Sequence, residues 1–267
     1  MGLKRFTTRV IMQKRIDIIH QNISIYSNTT SDHEKQAVQL EKFNNVWQRA
    51  VRTMSFYKNW QSQHRLPTKI RSLQELSEFP SLTKSDIQMH QKEIIELGKK
   101  VQITSTGGST GQPTKFPIGK TELNEIYGNV YAGRSWWGIA PFDRILLLWG
   151  HSHLFGTGLV GVKNQVLRGI KDYMLDTKRL NAYDMRADSL SDYIHNMFNY
   201  KPDVIIGYSS SLFKLAKFIM ENDHCDKINW NLKAVIATAE TISTTEFEII
   251  SKAFSTKLVC EYGMAEA

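Results

Sequence analysis

Cysteine is scarce in this chain. Cys225 and Cys260 are the two present in 267 residues, and neither has a second Cys or a His at metal-ligand spacing. That excludes a disulfide scaffold and a zinc ribbon, and it points to free thiols in a reducing compartment. Proline is low at 6 and glycine ordinary at 16, so neither a collagen-like nor a low-complexity chain fits. No stretch approaches the ~18 consecutive apolar residues that a membrane span needs. The N-terminal segment carries Lys4, Arg5, Arg9, Lys14 and Arg15 but never assembles the apolar core of a signal peptide. A cytoplasmic protein without a membrane span is the expectation. Acidic residues are the minority, 26 against 34 basic for a formal charge of +8. The basic residues are scattered, so the stripe that nucleic-acid binding requires is missing.

What is present is ordinary globular material, 41% hydrophobic and 22% charged, enough for one large domain or two small ones. Residues 1–100 read as a helical segment packed on a core. Val38, Leu40, Phe43, Val46, Trp47, Ala50, Val51 and Met54 recur near helical spacing. Phe79-Pro80-Ser81-Leu82 then reads as extended chain entering a new helix, with Thr83 or Ser85 as its N-cap. From residue 101 to 267 the texture becomes α/β. Val101 to Thr104 is a strand candidate, Thr121 to Trp137 a helix candidate, and Arg144 to Trp149 a buried strand.

The last third is the most regular. Asp203 to Gly207, Lys233 to Thr238 and Lys257 to Cys260 are strand candidates. Leu212, Leu215, Ala216 and Ile219 make one apolar helix face after the first, with Ser209 to Ser211 as its expected N-cap. Ser243 and Glu246 have capping-box spacing for a helix before the last strand. Alternating strands and helices imply right-handed crossovers and a mainly parallel sheet with flanking helices. The strand C-termini then share one edge. Gly207-Tyr208-Ser209, Ala239-Glu240 and Tyr262-Gly263 should open onto one crevice, where ligands of such sheets bind.

Ser105 to Lys115 holds three glycines, four hydroxyl residues besides Ser105 itself, and a terminal lysine. Glycines let backbone N–H groups turn toward an anion, and hydroxyls add donors. The loop suits a triphosphate, although it is neither a Walker A loop nor GxGxxG.

Thr106-Gly107-Gly108-Ser109-Thr110-Gly111-Gln112-Pro113-Thr114 resembles the phosphate-binding signature of the AMP-forming, adenylate-forming enzymes. The likeness is greatest to the phenylacetate-CoA ligase branch and its relatives encoded with capsule-polysaccharide genes. Four further segments agree with that branch in the same order: Phe79 to Asp86, Ile206 to Leu212, Thr238-Ala239-Glu240, and Glu261 to Glu266. The resemblance implies part of the large N-terminal domain of such an enzyme. It implies a ligase that uses ATP and Mg²⁺ to convert a carboxylic acid to its acyl-adenylate, with coenzyme A as thiol acceptor. Thr106, Gly107, Gly108, Ser109, Thr110 and Gly111 would hold the β- and γ-phosphates. Ala239, Glu240, Tyr262 and Gly263 would bracket the adenine. Glu266 would position Mg²⁺, and His153, Phe155, Gly156 and Tyr208 would line the acyl pocket.

Ala265 stands where the family places a threonine that bonds the α-phosphate. No counterpart of the C-terminal lid follows Glu266, so the α/β core reads as incomplete and the chain alone as weakly active or inactive. A non-catalytic nucleotide-binding fragment is the second reading, and a homodimer or a complementing C-terminal chain is compatible with it. A serine hydrolase is the third, resting on Ser152 and Ser209 to Ser211, which lack the second glycine of GxSxG. His151 and His153, with no third ligand, read as pocket residues rather than metal ligands.

Overall fold

Helices make up the first part of the chain. They are α1 (Leu3–Ile11), α2 (Gln13–Asn28), α3 (Asp32–Thr53) and α4 (Ser55–His64), with the short α5 (Lys84–Met89) following a 3₁₀ turn over Leu73–Glu78. These come from a computed structural model, which describes residues 3–95, 101–105, 114–150 and 158–263. The described residues fall into two compact units, one within Ile18–Asn129 and the other within Met1–Asp17 and Val130–Met264.

In the first unit, α3 starts at a capping box. The Ser31 hydroxyl accepts from the Glu34 N–H, and the Glu34 carboxylate accepts from the Ser31 N–H. Thr83 and Asp86 repeat the device at α5, so Thr83, not Ser85, is the cap. Trp47, Ala50, Phe56, Leu66 and Ile70 form the buried centre. Asn44 is buried beside them and satisfies both backbone groups of Ile70, at 3.0 and 2.9 Å, as a paired strand would. The apolar position Val46 points outward and is exposed. Strands β1 (Gln102–Ser105) and β2 (Lys115–Ile118) pair antiparallel with Ser105 opposite Lys115. The two ends of the glycine-rich loop are therefore held by a hairpin stem. Thr114 at its base is fully buried and accepts from Gln88 Nε2 at 3.0 Å.

Helix α6 (Lys120–Ser135) precedes the strands of the second unit in sequence. The strands are β3 (Ile145–Leu148), β4 (Thr177–Leu180), β5 (Val204–Tyr208), β6 (Ala234–Thr238) and β7 (Leu258–Glu261). All pair in parallel in the order β4-β3-β5-β6-β7. Helices α7 (Gly158–Met174), α8 (Ala187–Tyr200), α9 (Ser209–Glu221) and α10 (Thr244–Phe254) connect them. Leu146, Leu148, Ile205 and Val235 on one sheet face pack with Met197, Leu212, Ile219 and Phe254. Val204, Ile206, Ala234 and Ile236 on the other face pack with Ile139. Central strands buried on both faces explain the continuous apolar runs. The α10 capping box is Ser243 with Glu246, as the spacing predicts.

Candidate functional site

The strand order places β3 between β4 and β5, so the chain leaves β3 toward one side and later returns to its other side. The C-terminal ends of β3 and β5 are therefore the switch point where a crevice opens. Aromatic rings occupy that point. Trp149 stacks on Tyr208 with centroids 4.4 Å apart, and Tyr183 lies parallel to Tyr208 at 6.3 Å. Gly150 lets the Tyr183 ring sit close, since a Cβ there would overlap the ring and displace it. Burial, with the neighbouring Tyr183 hydroxyl adding to it, pushes the Tyr208 phenol up to about 12. Tyr208 is thus a neutral hydrogen-bonding phenol across the physiological range.

One strand further along, a cavity of about 480 Å³ opens over the ends of β6 and β7. Ser209, Ala239, Glu240, Cys260, Tyr262 and Gly263 line it, with Thr241 and Ile242 at the side. The four residues singled out as the adenine bracket are therefore brought together. Tyr262 presents nearly its whole ring to solvent, 90% exposed. Ala239 has a left-handed backbone, φ 66°, a conformation unfavourable for a residue with a Cβ and common where a site dictates the geometry.

Glu240 does more than line the wall. Its carboxylate accepts from the Ser210 N–H at 2.8 Å, and its carbonyl accepts from the Ser209 hydroxyl at 3.2 Å. A carboxylate at this helix start satisfies an open donor and complements the positive end of the helix dipole. The expected serine cap is corrected accordingly: Tyr208 is the N-cap residue of α9 and makes no side-chain cap bond. Ser209 and Ser211 are buried, and the latter donates to the Ala182 carbonyl at 3.1 Å. Both hydroxyls are committed to carbonyl oxygens, which disfavours either as a hydrolytic nucleophile.

Beneath the cavity, Arg134 of α6 grips the Glu261 carboxylate with two hydrogen bonds of 2.7 and 2.9 Å. Burial pulls the guanidinium down, but the bonds to Glu261 and its charge outweigh that and leave it raised. The pair fixes the end of β7 and hence the base of Tyr262. Sequence reading missed Arg134, Tyr183 and Cys260.

Several expected site residues lie outside the described residues. They are Thr106, Gly107, Gly108, Ser109, Thr110 and Gly111 of the glycine-rich loop, Ser152, the pair His151 and His153, Phe155 and Gly156, and Ala265 with Glu266. Among the described residues, no group of three or more His, Cys, Asp or Glu side chains could hold a metal ion. No helix among them is long and apolar enough to cross a membrane.

No protein-family model matches the chain. It is 22% identical over 235 residues to Protein CapK of Staphylococcus aureus, covering 86% of this chain and 50% of that protein. Among solved structures it matches an open conformation of 2-hydroxyisobutyryl-CoA ligase in complex with 2-HIB-AMP and CoA. There the TM-score is 0.67 at 20% identity, over 89% of this chain and 52% of that one. The same ligase in its thioesterification state gives 0.66 at 19% identity, over 89% and 50%. The chain spans about half the length of the proteins it matches. Together with the five-stranded parallel sheet, these likenesses give the chain the fold of part of an adenylate-forming CoA ligase.

Proposed function

We propose that the cavity over β6 and β7 binds the adenine of ATP, and that the chain serves the activation of a carboxylic acid as its acyl-adenylate. The observation that carries this reading is the gathering of Ala239, Glu240, Tyr262 and Gly263 around one 480 Å³ cavity at the sheet's C-terminal edge. A planar, amino-bearing base suits such walls. Tyr262 offers a ring to stack on, Ala239 and Ile242 offer apolar contact, and Glu240 offers oxygen acceptors.

In the proposed reaction the acid's carboxylate attacks the α-phosphorus and pyrophosphate leaves. A thiol, coenzyme A by resemblance, then attacks the acyl carbon and AMP departs. The protein's share is positioning and charge stabilisation. Thr106 to Gly111 are proposed to hold the β- and γ-phosphates and Glu266 to position Mg²⁺. Tyr208, with His153, Phe155 and Gly156, is proposed to line the acyl side. The aromatic stack of Trp149, Tyr208 and Tyr183 at the switch point supports an acid with an apolar body.

Ala265 supplies no hydroxyl where the resembling enzymes have one, so slow adenylation is expected of this chain, and a nucleotide-binding module completed by a partner chain is the second reading. A cytoplasmic setting in capsule-polysaccharide synthesis is proposed from the motif resemblance, with the likeness to CapK in support.

The test is titration with a fluorescent ATP analogue, then ATP–pyrophosphate exchange over a panel of acids. Binding that Tyr262→Ala weakens supports the cavity. No nucleotide binding by the folded chain overturns it, and binding without exchange assigns the module reading.

A further inference from the structure

Large apolar side chains are exposed in concentration on two touching helices, α1 and α7. The buried Thr8 hydroxyl of α1 donates to the Met174 carbonyl at the end of α7, 3.2 Å away. Around that anchor Phe6, Val10, Val162, Val166, Ile170 and Tyr173 are each between 52% and 69% exposed. Val162, Val166, Ile170 and Tyr173 follow one another at steps of four, four and three, so they share one face of α7. Phe6 and Val10 are four apart and share a face of α1. Exposed apolar surface gathered in this way marks an interaction site rather than ordinary scatter.

The exposed charges that α1 and α7 themselves add beside it are basic, with Arg9 also bordering a cavity that Asp143 and Asp203 line. Arg9, Lys163 and Lys171 are exposed, and the sequence of α1 holds no acidic residue. The one acidic residue in α7, Asp172, is gripped by Arg179 through bonds of 2.5 and 3.0 Å. Symmetric pairing with a second copy would set one basic rim against another and is disfavoured. An apolar stripe flanked by Lys and Arg on an exposed helix suits an anionic lipid surface. There the apolar side chains enter the headgroup boundary and the basic ones meet phosphate. The stripe runs along exposed positions of α7 from Val162 to Tyr173, and a fluid surface can adapt to it.

We propose that the α1–α7 face adsorbs to an anionic bilayer surface without crossing it. This inference is independent of the nucleotide reading.

Flotation of the full chain with vesicles tests it. The chain is expected to float with phosphatidylcholine–phosphatidylglycerol vesicles, to remain behind with phosphatidylcholine alone, and to be released by salt. At about 1 kcal/mol for each basic residue near the surface, Lys163→Gln with Lys171→Gln should weaken partitioning about 30-fold. Val166→Asp with Ile170→Asp should abolish flotation. If the aspartate pair fails to fold, the lysine pair, confined to solvent-exposed positions, decides. Failure to float with anionic vesicles, equal binding to both vesicle types, or unweakened binding of the lysine variant overturns the proposal. So does a dimer in sedimentation that Val166→Asp dissociates in the absence of lipid, which would assign the face to a second copy.

Discussion

At the N-terminal end of the parallel sheet, Lys233 holds both oxygens of Asp143 at 2.9 and 2.8 Å, and Asp203 receives the Arg144 N–H at 2.8 Å as well as its guanidinium. A cavity of about 570 Å³ lies there too, but Asp143, Arg144, Asp203 and Lys233 in its wall pair with one another. At the C-terminal end the polar groups are turned outward. Ala239, Glu240, Cys260 and Tyr262 are exposed around their cavity, and one backbone conformation there is strained. The same strands thus end in paired charges on one side and, above the Arg134–Glu261 pair, in an exposed ring, carboxylate and thiol around a cavity on the other. Closing the first end secures the register and leaves the second free to be shaped for a ligand.

The largest test of this contrast removes one ion-pair partner from each end. Lys233→Ala and Arg134→Ala each leave a half-buried carboxylate uncompensated, and each should lower unfolding free energy by about 2–3 kcal/mol in urea titration. The contrast predicts that Arg134→Ala also weakens nucleotide binding while Lys233→Ala does not. Equal loss of binding in both would break it. Next, Tyr262→Ala should weaken the fluorescent ATP analogue by up to about tenfold through lost stacking and contact area, with an unchanged urea midpoint. Smaller again, Ala239→Gly relieves the left-handed strain and should stabilise by up to about 1 kcal/mol, because glycine adopts that backbone freely.

The least effect is an alkaline one. Tyr200, half-buried near Asp176 at the closed end, and Tyr208 at the open end are both pushed up to about 12, in each case chiefly by loss of solvent. A raised folded-state value means a contribution fully present below the unfolded tyrosine value near 10. It is lost as pH rises through about 12. Stability should fall across that window in urea melts, and Tyr200→Phe and Tyr208→Phe should each flatten part of the fall. No change in either variant would show that other groups govern the alkaline limb.

How much of this was legible in the sequence follows from where the signals lie. Strands β5 and β6 were readable because burial on both faces demands unbroken apolar runs, as in Val204-Ile205-Ile206, and β7, at the other sheet edge, was readable from Leu258-Val259 following the capped helix. The Ser243–Glu246 box was readable because both partners sit within one turn. Strand β4 was not, since Thr177-Lys178-Arg179-Leu180 lies at a sheet edge, where polar residues are tolerated and discourage further pairing. Strand β2 was hidden by its brevity and by Pro117. Meeting of the strand ends at one edge was predictable from the βα alternation alone, and with it the grouping of Ala239, Glu240 and Tyr262. The Arg134–Glu261 grip spans 127 residues and leaves no local trace. Nor did the sequence suggest that Glu240 would serve α9 in place of its own serines.

The exposed Cys260 in the cavity wall gives the molecule a built-in chemical reporter. Cys260 is two residues from Tyr262 and shares a cavity with it, while Cys225 lies half-buried in another part of the unit. A thiol reagent added to the chain should therefore modify Cys260 first. Any molecule that fills the cavity should slow that modification, so the occupant can be recognised by protection before its chemistry is known.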